Sequence, residues 1–207
     1  MIVQGSQEWL QLRCGKVTAS RVADIIAKTK TGYSAGRANY MAELIAERLT
    51  GCPAASFSNA AMQWGTDQEP YARAAYAERQ GVEVLEVAFV LHPELPMAGA
   101  SPDGLIGDDG LVEIKAPQTA THLDTLQNQT VPAKYITQMQ WQLSCTGRDW
   151  CDFASYDPRL PPHLRLFTKR VPRDVSMILE LESEVTAFIA EIDAKLVDLA
   201  RIYGEAA

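Results

Sequence analysis

The chain is poor in the side chains that build thiolate or disulfide frameworks. Its four cysteines, Cys14, Cys52, Cys145 and Cys151, form no C-x-x-C pair, and its three histidines lie far apart. That argues against a structural zinc site, and unpaired thiols point to a reducing cytoplasm. No apolar run approaches a membrane span, and residues 1–10 lack a basic segment followed by an apolar one. Neither a transmembrane helix nor a signal peptide is therefore expected. Internal repeats, low-complexity tracts and long linkers are also missing. Positive charge is scarce: 19 Lys and Arg stand against 26 Asp and Glu, a net charge of −7. That balance gives no positive evidence for a nucleic-acid partner, but distribution matters more than sum. Residues 1–50 carry seven bases against four acids, and residues 171–207 three against eight. Such a gradient allows a locally positive surface on an acidic protein.

What is present suits one globular unit. A length of 207 residues, 47% hydrophobic and 22% charged, supports a single domain over 1–207 with a substantial core and excludes disorder. A helix starts at residues 6–9, with Trp9 and Leu12 on its apolar face. Thr18-Ala19-Ser20 caps a second through about residue 27, using Val22, Ile25 and Ile26. Residues 28–37 read as a loop and 39–49 as a strong helix stopped by Thr50-Gly51-Cys52-Pro53; 60–80 is another helix, with Gly81 as its C-cap. Strands are expected at 82–91, 97–100, 111–116, 150–156 and 164–171, with a helix at 132–144. Residues 174–202 form a long amphipathic helix, its apolar positions stepping by three or four from Ile178 to Leu199. This order predicts an α/β fold: a mixed central β-sheet flanked by helices, closed by a long C-terminal helix.

One short stretch carries chemistry. Gly99-Ala100-Ser101-Pro102-Asp103-Gly104 puts a carboxylate into a tight turn, since Pro fixes φ and Gly tolerates positive φ after it. Residues 111–115 then alternate, so Glu113 and Lys115 share a strand face while Val112 and Ile114 share the other. A loop carboxylate, a strand carboxylate and an ammonium are the parts of a hydrolytic Mg²⁺ site. Hard oxygens suit Mg²⁺, and one or two ions held by Asp103 and Glu113 would activate a water that Lys115 orients. The plainer reading is a Pro-Asp-Gly turn followed by a solvated strand face, and the spacing alone is not specific. Pro117 closes the strand and a polar, Gln-rich segment follows.

The surrounding residues make it specific. Trp9-Leu10-Gln11-Leu12-Arg13 with Thr18-Ala19-Ser20, Trp64-Gly65 with Glu69, Ser101-Pro102-Asp103-Gly104, Glu113-Ile114-Lys115, Tyr135-Ile136-Thr137-Gln138 and Tyr156-Asp157-Pro158-Arg159 occur in that order. Together they resemble the phage-type alkaline exonucleases, the family of bacteriophage lambda exonuclease, within the restriction-endonuclease-like nuclease superfamily. The resemblance runs from about Glu8 to the C-terminus. It implies that Asp103, Glu113 and the Ile114 carbonyl bind Mg²⁺ (Mn²⁺ substituting), that Lys115 positions the attacking water and that Glu69 is an additional acid. It places Arg13, Ser20, Ser101 and Gln138 in a pocket for the 5′-terminal phosphate, Tyr135 beside the active site and Met62 as an apolar wedge between terminal base pairs. Gln140 and Gln142 lie nearby and are assigned no role; Gln142, one turn beyond Gln138, reads as ordinary helix surface. Trp9, Trp64 and Trp141 read as core, with base stacking the alternative.

By resemblance the activity is a 5′-to-3′ exonuclease acting on double-stranded DNA ends. It would release mononucleotides and leave a 3′ single strand for recombination and double-strand break repair by strand annealing. A ring-shaped homotrimer and an annealing-protein partner are implied as well. The sequence of residues 28–37 and the stretch Pro161-Pro162-His163 depart from the family pattern. Rival readings are an endonuclease with the same three residues, a non-catalytic DNA-end-binding module, and an enzyme acting on a small phosphate ester.

Overall fold

In the computed structural model of the chain, which describes residues 2–54 and 59–204, the elements run as follows. α1 (Gln7–Arg13) leads to β1 (Val17–Thr18), then a 3₁₀ turn at Ala19–Arg21, α2 (Val22–Ile26), and the hairpin β2 (Lys28–Thr29) and β3 (Gly32–Tyr33). α3 (Ala35–Thr50) and α4 (Ala60–Gln80) precede β4 (Val90–Leu91), β5 (Ala98–Ala100), β6 (Gly104–Ile106) and β7 (Gly110–Lys115). α5 (Thr119–Asn128), α6 (Ala133–Thr146), β8 (Trp150–Tyr156), β9 (Leu166–Pro172) and α7 (Val175–Tyr203) complete it. The main sheet has the order β6-β7-β8-β9, with β7 and β8 parallel and the outer pairs antiparallel. A second mixed sheet has the order β1-β5-β4. No helix among the described residues is long and apolar enough to cross a membrane.

The main sheet is covered on both faces, and this decides the fate of the acids. Val112 and Ile114 of β7 pack under α4 with Ala72 and Tyr76. Leu111 faces the other way, against Met139 and Leu143 of α6. Glu113 shares the Leu111 side by strand periodicity, so it meets α6 rather than water and is fully buried. The solvated-face reading of Glu113 is therefore corrected: alternation shows which residues share a face, not what covers that face. On the second sheet, Leu181, Val185, Phe188 and Ile192 of α7 close a cluster with Val22, Ile25, Tyr40 and Leu44. Each such fully buried apolar chain contributes ~1.5–3 kcal/mol.

Several boundaries differ from expectation. The strand expected over residues 82–91 shrinks to β4, with Leu85 making only an isolated bridge to Leu105. Its Val82 and Val84 pack against the cluster of Tyr76 and Val112 instead. Val84 lies so close over Gly104 that a Cβ there would stand 2.1 Å from its methyl carbon. The loop expected at residues 28–37 contains the β2–β3 hairpin and the start of α3. Thr18 gives no side-chain cap, and its 3₁₀ turn delays α2 to Val22. The Gln-rich segment after Pro117 holds an unexpected helix, α5, seated on buried His122 and Thr125. Gly51 and Gly81 end α3 and α4 in the left-handed region, each at φ 66°.

Candidate active site

Asp103 occupies the turn between β5 and β6, and its Oδ2 accepts the Ile114 N–H at 2.6 Å. The turn is thus stitched to β7 at the residue between Glu113 and Lys115. Arg73 donates to the Asp103 carbonyl at 3.1 Å and pairs with Glu69 one turn earlier on α4, and with Glu86 at 3.0 Å. Next in α4 comes Pro70, which has no N–H for the Thr66 carbonyl. Glu69, Thr66, Met62, Asp103, Ile114 and Lys115 line a cleft of about 570 Å³, with Lys134 and Tyr135 at its side. Tyr135 stacks on Phe153 at 5.5 Å, with the Lys115 ammonium 5.4 Å from its ring centre.

Glu113 does not line the cleft. Its Oε1 accepts from Gln138 Nε2 at 2.7 Å and pairs with Lys115, while its Oε2 accepts from Gln142 Nε2 at 2.6 Å. Gln142 is fully buried, which corrects its reading as helix surface. The two glutamines stand four apart on α6, one turn, and so present to one point.

The charges explain what the cleft would accept. Burial pushes the Asp103 carboxyl well above its ordinary range and the Glu113 charge adds to this, only partly offset by Lys115. Burial also raises Glu69, against the pull of Arg73 and Lys115. For Lys115 burial works downward, but Glu113 and Asp103 outweigh it and the ammonium is held charged. Like-charged acids short of counter-charge are stabilised by an added cation. Among the described residues no group of three or more His, Cys, Asp or Glu has metal-holding geometry. The oxygens on offer are two carboxylates and a main-chain carbonyl. That donor set fits a hard divalent ion that keeps several waters, as Mg²⁺ does.

A second cavity of about 450 Å³ lies beyond Met62, which lines both. Its walls include Arg13, Lys16, Ser20 and Arg21, facing Glu43 and Glu47. Arg21 is committed to Asp24 and Glu43, and Glu47 to the N–H groups of Gly15 and Ala54. Arg13 and Lys16 have no ion-pair partner among the described residues. The Arg13 guanidinium stacks on Trp9 at 3.8 Å, and its Nε is buried with no hydrogen-bond partner. Burial lowers its pKa, a shift that Tyr40, Glu47 and Glu43 oppose. Arg13, Lys16 and the exposed Ser20 hydroxyl thus share one cavity with Glu43 and Glu47.

The structure brings Arg13, Ser20 and Met62 together in one cavity and Asp103, Glu69, Lys115, Tyr135 and Met62 in the other. It places the remaining two expected phosphate ligands elsewhere. Ser101 donates to the Ala88 carbonyl at 2.6 Å and accepts from Trp9 Nε1 at 3.0 Å, so it supports the platform under Arg13. Gln138 is drawn to the buried carboxylate. Reasoning from sequence passed over Arg73, although its spacing of four from Glu69 was visible. Trp141 is core, fully buried against His92. Trp64 carries the Arg159 guanidinium 4.7 Å from its ring centre, and Arg159 also grips both Asp157 oxygens and the Pro117 carbonyl.

An acid cleft and a neighbouring cavity lined by Arg13 and Lys16 stand on a mixed sheet, and comparison with known proteins gives the family. Residues 8–149 match the YqaJ-like viral recombinase domain, and the chain belongs to that family. LHK-Exo in complex with dAMP is 51% identical, with TM-score 0.91 over 98% of this chain and 100% of that one. A second structure of this alkaline exonuclease, from Laribacter hongkongensis, is 50% identical at TM-score 0.90 over 98% and 100%. A phage related exonuclease from Haemophilus somnus 129PT shares the fold at 18% identity, TM-score 0.72, over 89% and 96%. No curated protein matches the chain.

Proposed function

We propose that the chain is a Mg²⁺-dependent exonuclease that digests one strand of double-stranded DNA from its 5′ end, releases mononucleotides and leaves a 3′ single strand. The observation that carries this is Met62 standing as a common wall between an acid cleft and a cavity lined by Arg13 and Lys16. An enzyme with only the cleft would cut anywhere along a duplex. A cavity one side chain away, offering Arg13, Lys16 and Ser20 to a terminal phosphate, would measure from an end. That LHK-Exo binds dAMP, a mononucleotide, supports the same product class.

Asp103, Glu113 and the Ile114 carbonyl would hold the metal, which supplies a polarised phosphodiester and an acidified water. Lys115, kept charged by its acids, would orient that water by donation and offset charge that develops on the phosphate. Arg13 offers a planar fork for a terminal phosphate, and Ser20 adds a neutral donor. Tyr135 and Met62 bound the space between them, where a terminal nucleotide lies. Glu69, held by Arg73, adds negative charge at the cleft. Mn²⁺ substitutes in the same oxygen set. The enzyme acts as a ring-shaped homotrimer beside a single-strand annealing protein in recombination, a reading that rests on the family resemblance.

An endonuclease with the same cleft is the second reading, because Asp103, Glu113 and Lys115 serve it equally. Linear duplex labelled at either the 5′ or the 3′ end, and a covalently closed circle, separate the two in Mg²⁺. The expected outcome is early release of the 5′ label and an intact circle. First release of the 3′ label, or cutting of the circle, refutes the proposal.

A further inference from the structure

We propose that Gln138 and Gln142 are positioning residues for the metal centre, two neutral amides that clamp the Glu113 carboxylate and fix its orientation. The inference rests on the reading of Glu113 as a metal ligand. Oε1 receives two groups, Gln138 Nε2 at 2.7 Å and the Lys115 ammonium, whereas Oε2 receives only Gln142 Nε2 at 2.6 Å. A carboxylate oxygen has two lone-pair sites. Each oxygen is thus held by one amide, Oε1 by Gln138 beside the Lys115 ammonium and Oε2 by Gln142, and one of the four sites stays open for a ligand.

Neutral donors suit this task. An ionised carboxylate only accepts, so each amide must present its NH₂ group, and the other end of Gln142 is occupied at 4.0 Å by the Cys151 thiol. A second ammonium in place of an amide would cancel the charge that a divalent ion needs. An apolar side chain would leave a buried acceptor unpaired. Amides satisfy the oxygens and leave the charge in place.

The helix that carries them is pinned on its other sides. Gln140 donates to the Pro172 carbonyl at 2.8 Å and accepts the Asp174 N–H at 2.9 Å. Trp141 donates to the Gly99 carbonyl at 3.3 Å, and Ser144 bonds His92 and Glu182. α6 is therefore a fixed rail, and the two amides inherit its precision.

Calorimetric titration of the full chain with Mn²⁺ tests this, without DNA, on wild type, Gln142→Met and Gln138→Met. Met keeps length and bulk and removes the N–H. Each variant should bind Mn²⁺ about ten- to a hundred-fold more weakly, the range for losing a partner that orients a metal ligand. The Mg²⁺ concentration that half-saturates digestion should rise with it. A merely structural role would lower the melting temperature and leave the Mn²⁺ dissociation constant unchanged, and that result overturns the proposal. If Gln142→Met does not fold, Gln138→Met at its half-exposed position decides. An altered preference for 5′-phosphorylated ends with unchanged Mn²⁺ affinity would return Gln138 to the phosphate pocket and also overturn the clamp. Weakened Mn²⁺ binding in the variants, with a wild type that does not digest linear duplex, would sink the nuclease reading and spare this one.

Discussion

Arg13 has a half-buried guanidinium with an aromatic platform beneath it and no ion-pair partner among the described residues, an arrangement that costs desolvation and that a bound phosphate would offset. Its removal should be felt by the substrate end and not by the fold. Arg13→Ala is expected to reduce the preference for 5′-phosphorylated over 5′-hydroxyl ends by about ten- to a hundred-fold, from a charge-assisted bond of ~1.5–3 kcal/mol. An unchanged ratio of digestion rates on the two substrates would remove Arg13 from the pocket. Residues of this kind were legible in the sequence where local spacing sufficed. Pro-Asp-Gly and Glu-x-Lys announce Asp103, Glu113 and Lys115 because turn chemistry and strand alternation act over a few residues. Gln142 was not legible, since its meaning depends on a carboxylate twenty-nine positions away in sequence (Gln142 to Glu113) being enclosed by the helix it sits on.

Among the elements, α4 carries Met62 and Glu69, and its first turns are strapped down by the segment after β8. Arg159 bridges Asp157, the Pro117 carbonyl and the Trp64 ring. Burial works to raise the Asp157 carboxyl, but hydrogen bonds from Arg159 and Thr119 and the Arg159 charge outweigh it, so it titrates below its ordinary value. A depressed carboxyl stabilises the fold above its unfolded pKa of about 3.9, and that contribution is lost as pH falls through the folded value. Asp157→Asn should therefore melt below wild type at neutral pH, with the gap closing on acidification below about pH 4. A gap independent of pH across that range would contradict the strap. Long elements could be read in advance for a physical reason. The α3 and α4 stops need a left-handed residue, which glycine advertises, and α7 repeats its apolar step over eight turns. Strands of two or three residues, such as β1 and β6, are too short to show a period. The helix α5 hides because its buried contacts are a histidine and a threonine.

At the scale of the molecule, the net charge of −7 and the cationic pocket coexist because the bases near the N-terminus are gathered while the acids spread over α7. A ring of three chains would turn such pockets inward. Light scattering coupled to size exclusion should then return three times the 22.8 kDa chain mass, and a stable monomer at micromolar concentration would remove the ring. The parallel pairing of β7 with β8 has another consequence, one of timing. Parallel neighbours require a crossover, and here the crossover is α5 and α6. A nascent chain that has emerged only to Asn128 holds both acids and the lysine but neither amide. Distant contacts of this sort close late, so the enclosure of Glu113 by α6 can form only after the crossover has been made.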